Sequence, residues 1–148
     1  MANWEKFKHW LSEQIDGNVL GLYRILFGLL MAYNGFAYYR DGLIKSGLLA
    51  PKVLFKYDGL EWLHPLSEPA MTAIMFAMIA SALLIASGLL FRWACLIFSL
   101  ALSFFLFQEK SYFNNHIYLF ILLGVLLAFT DADRFLSLGR KKTTAGEG

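Results

Sequence analysis

The sequence predicts an all-α membrane protein, with four transmembrane helices behind an N-terminal interfacial amphipathic helix. Two observations predict it. Of 148 residues, 58% are hydrophobic and 16% charged, whereas soluble domains average roughly 45–50% and about 25%; the mean hydropathy is +0.53. That much apolar surface exceeds what one soluble core encloses, so lipid must be the second solvent. The apolar residues also fall into runs separated by brief charged punctuation at Glu68, Arg92, Glu109-Lys110 and Asp131. The length suits one domain, and a net charge of +2 points away from nucleic acid.

Residues 1–16 read as the interfacial helix. Trp4, Phe7, Leu11 and Ile15 share one helical face, while Glu5, Lys6, Lys8, His9, Glu13 and Asp16 occupy much of the rest, a pattern that lies in the headgroup plane. Asp16-Gly17-Asn18 breaks this helix and caps the next one. The transmembrane domain occupies residues 17–138. Its first span, about 18–39, reaches the roughly 20 residues needed to cross hydrocarbon only by including Arg24. It starts late and lacks a small-residue cleavage site, so it reads as a retained span. Residues 40–69 form the longest polar connection and hold Pro51, Pro65 and Pro69. Leu48, Leu49, Val53 and Leu54, then Leu60, Trp62 and Leu63, suggest short surface-lying helices there. The second span covers about 70–91, with Ser81, Ala82, Ala86, Ser87 and Gly88 allowing close helix approach. Arg92 marks a tight turn. The third span, 93–108, is short and requires snorkelling or a thinned bilayer. Glu109 and Lys110 make the next turn, the fourth span covers about 113–130, and 139–148 is a disordered tail. Lys and Arg outside the spans divide seven to five in favour of the side holding the termini, which places both termini in the cytoplasm.

Polar residues inside such runs are functional candidates, because they cost free energy unless paired or used. Asn114, Asn115 and His116 open the fourth span. Asn114 suits a helix N-cap. The helix N-terminus keeps the imidazole neutral and favours a nearby anion, so either His116 and an amide pointing into the bundle hold a phenolate-like or carboxylate oxygen, or the cluster is an interfacial hydrogen-bonding group with no ligand. Tyr112 and Phe120, four residues to either side, would flank an aromatic ligand. Arg24, inside the first span, either snorkels to the headgroups or organises a polar core with Asp131 or Asp133 as partner. Asp131-Ala132-Asp133-Arg134 closes the fourth span as a helix end with local pairing. His64 reads as a surface residue. Cys95 reads as a small buried hydrophobe. No spacing suggests a metal site.

The run Lys110-Ser111, Phe113-Asn114-Asn115-His116, Tyr118-Leu119-Phe120 and Asp131-Ala132-Asp133-Arg134-Phe135, together with Tyr23-Arg24-Ile25-Leu26-Phe27-Gly28 and Gly88-Leu89-Leu90-Phe91-Arg92, closely resembles the N-terminal membrane domain of the vitamin K-dependent gamma-carboxylase family, the horizontally transferred transmembrane (HTTM) domain family. The resemblance covers about residues 17–138. It implies a quinol-linked carboxylation of glutamate side chains in which His116 stabilises anionic quinol oxygen, Asn115 supports it and Arg24 is structural; Arg24, Asn114, Asp131 and Arg134 are expected to form a structural polar core. It implies reduced vitamin K or another quinol as cofactor, and no metal. The implied surroundings are a lipid bilayer, bacterial inner or endoplasmic reticular. The family's catalytic lysine lies in a later membrane helix, whereas this chain has no lysine inside a span and ends at Gly148. The chain is therefore expected to be either a fragment, partnered by the C-terminal remainder of the same protein, or a short member inactive alone. The alternatives are a small quinone- or lipid-binding subunit like the four-helix DoxX proteins, or a structural membrane subunit.

Overall fold

A computed structural model describes residues 17–112, 114–134 and 136–138. The expected interfacial helix of residues 1–16 and the tail at 139–148 lie outside the described residues. Among those described, four α-helices follow one another: α1 (Gly17–Arg40), α2 (Glu68–Ser87), α3 (Phe91–Leu106) and α4 (Asn115–Ala128). The predicted spans thus hold as helices with ends moved by a few residues.

The shifted ends have local causes. Pro69 sits in the first turn of α2, where its missing N–H is harmless, and Glu68 beside it complements the helix dipole. The helix stops at Ser87, short of the predicted 91, because Gly88 turns left-handed at φ +78° and donates to the carbonyls of Leu84 and Ile85. Leu90 adopts φ +47°, an uncommon conformation for a branched side chain, and Phe91 then starts α3. Arg92 accordingly belongs to the first turn of α3. The 40–69 connection also departs from expectation. Its one helical piece is a π-type segment, Leu43–Leu49, launched by left-handed Gly42; residues 50–67 are turns, bends and irregular chain, so Val53-Leu54 and Leu60–Leu63 form no helix.

At 1.5 Å per residue, α1 and α2 run about 36 and 30 Å, while α3 and α4 reach only about 24 and 21 Å. Among the described residues, only α1 and α2 are long and apolar enough by themselves to cross a membrane.

Each helix packs on the next in chain order, α1 on α2, α2 on α3 and α3 on α4. Close backbone approach holds the first pair together. A Cβ on Gly28 would lie 2.6 Å from both the Ala82 carbonyl and the Ala86 amide nitrogen, so glycine is what lets the helices meet. Gly124 of α4 instead makes room for side chains of α3: a Cβ there would overlap the Ser99 hydroxyl and press on the Phe98 ring. Met71, Met75, Ile85, Cys95 and Phe98 are buried at the centre. Phe27 of α1 closes the row, with its ring 5.9 Å from Phe98 and 6.4 Å from Phe120 of α4.

Candidate functional site

Two groups of polar side chains lie at opposite ends of the helices. The first focus surrounds Arg24, eight residues into α1 and fully buried (0% exposed). It does not reach out to headgroups. Nη2 donates to the Leu136 carbonyl at 2.9 Å, the guanidinium carbon stands 6.0 Å from the centre of the Phe91 ring, and Nη1 lies against the Cα of Gly88, where a Cβ would overlap it. Asp131 is not its partner. That carboxylate instead bridges Arg92 at 3.1 Å and Arg134 at 3.2 Å. Asp133 is near enough for its charge to act on Arg24. The chain after α4 folds back over this end: Ala132 is buried, and Leu138 N–H donates to Ser87 at 3.1 Å. The expected polar core therefore holds Arg24 but leaves Asp131 and Arg134 at the surface.

The second focus lies where α1 and α3 end and α4 begins. Asn114 caps α4 as predicted, its Oδ1 accepting from the His116 N–H at 2.9 Å. The same oxygen lies 2.9 Å from His116 Nδ1. The His116 ring is therefore tied back to its own cap. Asn114, Asn115 and His116 are all exposed, so His116 and Asn115 do not point into the bundle. Tyr112 belongs to a separate 3₁₀ turn, Lys110–Tyr112, and does not share a helical face with His116 and Phe120. A helix wheel extended across the 110–114 turn cannot anticipate that break.

An apolar cavity of about 220 Å³ opens beside Asn114. Every element at this end contributes to its wall: Tyr38 of α1, Leu43 and Leu48 of the π-type segment, Met75 and Met78 of α2, Leu102, Phe105 and Leu106 of α3, and Ile117 of α4. Among the described residues its polar lining is Tyr38 and Asn114. A chamber of about 20 Å³ adjoins it, sharing Tyr38, Met78, Leu102 and Ile117 and adding Asn34, Gly35 and Phe120. Neither Asn34 nor Tyr38 belongs to a sequence motif that marks it. Their separation by one helical turn, on a face otherwise packed with Met31 and Gly35, is the available signal.

Glu109 likewise reads from sequence as a plain turn residue. It is in fact 4% exposed, and its carboxylate accepts from the Phe55 N–H at 3.0 Å, the Ser111 N–H at 3.2 Å and the Ser111 hydroxyl at 2.6 Å. Burial alone raises a carboxyl pKa; here the Ser111 and Phe55 donors and the nearby Lys56 charge outweigh it, leaving the group below its ordinary range. Lys110 N–H returns a hydrogen bond to Phe55 O at 2.7 Å. The two bonds strap the 50–67 connection to the α3–α4 turn next to the cavity.

This arrangement defines a class: a helical bundle with two membrane-length apolar helices, a ligand-sized apolar cavity at one end and a buried arginine at the other. Residues 12–146 match the HTTM domain, and the chain belongs to that family. It is the family to which the gamma-carboxylase-like motifs pointed. No solved structure matches the chain.

Proposed function

We propose that this chain is an integral membrane domain whose four helices all cross the bilayer, and that its cavity receives the ring of a quinol-class ligand, as the N-terminal membrane domain of a gamma-carboxylase-like protein. The cavity carries the reading. An apolar cavity of about 150 Å³ takes up benzene, and drug-sized sites start near 300 Å³; about 220 Å³ suits one or two fused rings. Tyr38 and Asn114 offer hydrogen bonds to a ring oxygen in an otherwise apolar wall, the usual pattern of a small-molecule site. His116, through its bond to Asn114, sets how that amide is presented.

The bilayer part of the reading rests on α1. Leu22, Leu26, Leu29, Leu30, Tyr33 and Phe36 are exposed along it, a stripe that needs an apolar solvent. The shorter α3 and α4 complete their crossings by local thinning and snorkelling of Arg92 and Lys110. With cytoplasmic termini, the cavity sits toward the opposite leaflet. None of the residues of α1–α4 is a lysine, so these helices supply no amine base to the cavity, and the 148 residues alone bind without carboxylating.

The test is equilibrium binding of 1,4-naphthoquinone to the purified chain in lipid nanodiscs. Saturable binding that Ile117→Trp abolishes, with helix content unchanged, supports the reading; binding that survives in Ile117→Trp contradicts it.

A further inference from the structure

The smaller chamber has a size that decides its occupant. At about 20 Å³ it is too small for a lipid chain or a ring and sufficient for one water, which needs at least about 10–15 Å³ and two or more polar partners. Asn34 and Tyr38 are the polar residues of its described wall. They lie four residues apart on α1, so they stack on one face about 6 Å apart along the axis. Neither side chain hydrogen-bonds another described residue. Tyr38 lines both the chamber and the large cavity; Asn34 lines the chamber alone. An amide at that depth is costly without a use.

We infer that Asn34 is a positioning residue: through a single water held in the chamber it orients the Tyr38 hydroxyl, and that hydroxyl selects ligands bearing a ring oxygen over hydrocarbon rings. The amide satisfies the water on one side. The water fixes which way the Tyr38 O–H rotates, a torsion otherwise free. The ligand then meets a pre-aimed hydrogen-bonding group, and preorganisation of that kind strengthens binding without a new contact. The inference rests on the reading of the large cavity as a ligand site, and its test separates the two.

The test compares 1,4-naphthoquinone with naphthalene on wild type, Asn34→Leu, Tyr38→Phe and the double variant, all in nanodiscs. Leucine keeps the branched, four-heavy-atom outline of asparagine and suits an apolar span, and the small chamber takes up its bulkier methyls; helix content checks the fold. Asn34→Leu and Tyr38→Phe should each weaken naphthoquinone about two- to tenfold, the worth of one hydrogen bond. The double variant should be no weaker than Tyr38→Phe, because both act through the same hydroxyl. Naphthalene affinity should not change. Losses that multiply, an unchanged naphthoquinone affinity in Asn34→Leu, or an equal loss for naphthalene overturns the inference. Wild type binding naphthalene but not naphthoquinone overturns it too while leaving the cavity a site; wild type binding neither overturns both.

Discussion

Arg24 donates a 2.9 Å hydrogen bond to the carbonyl of Leu136, 112 residues further along the chain. The guanidinium thereby fastens the segment after α4 to the inside of α1, closing the bundle at the end opposite the cavity. A buried arginine is costly in lipid or protein unless its surroundings answer its charge, and here they include Asp133, the Phe91 ring and a main-chain carbonyl.

Removing that guanidinium leaves a carbonyl and a carboxylate without it. Arg24→Met should therefore lower stability by about 1–3 kcal/mol and expose residues 131–138 to protease. Thermal unfolding with limited proteolysis measures both; the cavity's ligand affinity should change little, since the two foci lie at opposite ends.

Gly28 and Gly35 should differ in their tolerance of alanine. At Gly28 the new methyl meets backbone of α2 at 2.6 Å, which cannot move without separating the helices. At Gly35 it meets the Ile79 and Met78 side chains at 2.8 and 3.1 Å, and methionine in particular can give way. Gly28→Ala should cost about 1–3 kcal/mol and Gly35→Ala clearly less, read from denaturant unfolding of the two variants side by side.

Stability should fall in acid through Glu109. Its pKa is held below the ordinary glutamate value of about 4.3, so the unfolded chain binds its proton first as pH drops. The contribution is therefore complete above the unfolded pKa and disappears as pH falls through the folded one. Glu109→Gln should be less stable than wild type at pH 7 and should lose less between pH 6 and the acid range. Parallel losses in the two proteins would contradict this.

Asn114 and His116 should separate in their effects. Asn114→Ala removes an N-cap, worth about 0.5–2 kcal/mol, together with a polar group on the cavity wall. His116→Ala removes only a neighbour of that amide. Naphthoquinone titration and thermal unfolding should both show the larger loss in Asn114→Ala.

The four helices are legible in the sequence because their apolar runs are long and their breaks are charged or glycine-containing. The capping role of Asn114 is legible for a related reason, being a local interaction two residues long. The inward pointing of His116 is not realised because that same short-range bond turns its ring back onto the cap. Arg24 is marked as unusual by its depth, but its partner is not: the Leu136 carbonyl carries no side-chain signature, and the fold-back that buries Ala132 and ties Leu138 to Ser87 depends on packing. Glu109 looks like ordinary turn punctuation because one of its donors comes from Phe55, 54 residues away. The cavity itself is a gap between several elements, which periodicity within any one of them does not report.

The most direct measurement is a structure of the chain in nanodiscs with 1,4-naphthoquinone bound. The ring should lie among Met75, Leu102 and Ile117 with an oxygen in hydrogen-bonding reach of Tyr38 or Asn114. A ring bound instead on the exposed face of His116, or one found only in the surrounding lipid, would contradict the assignment of this cavity.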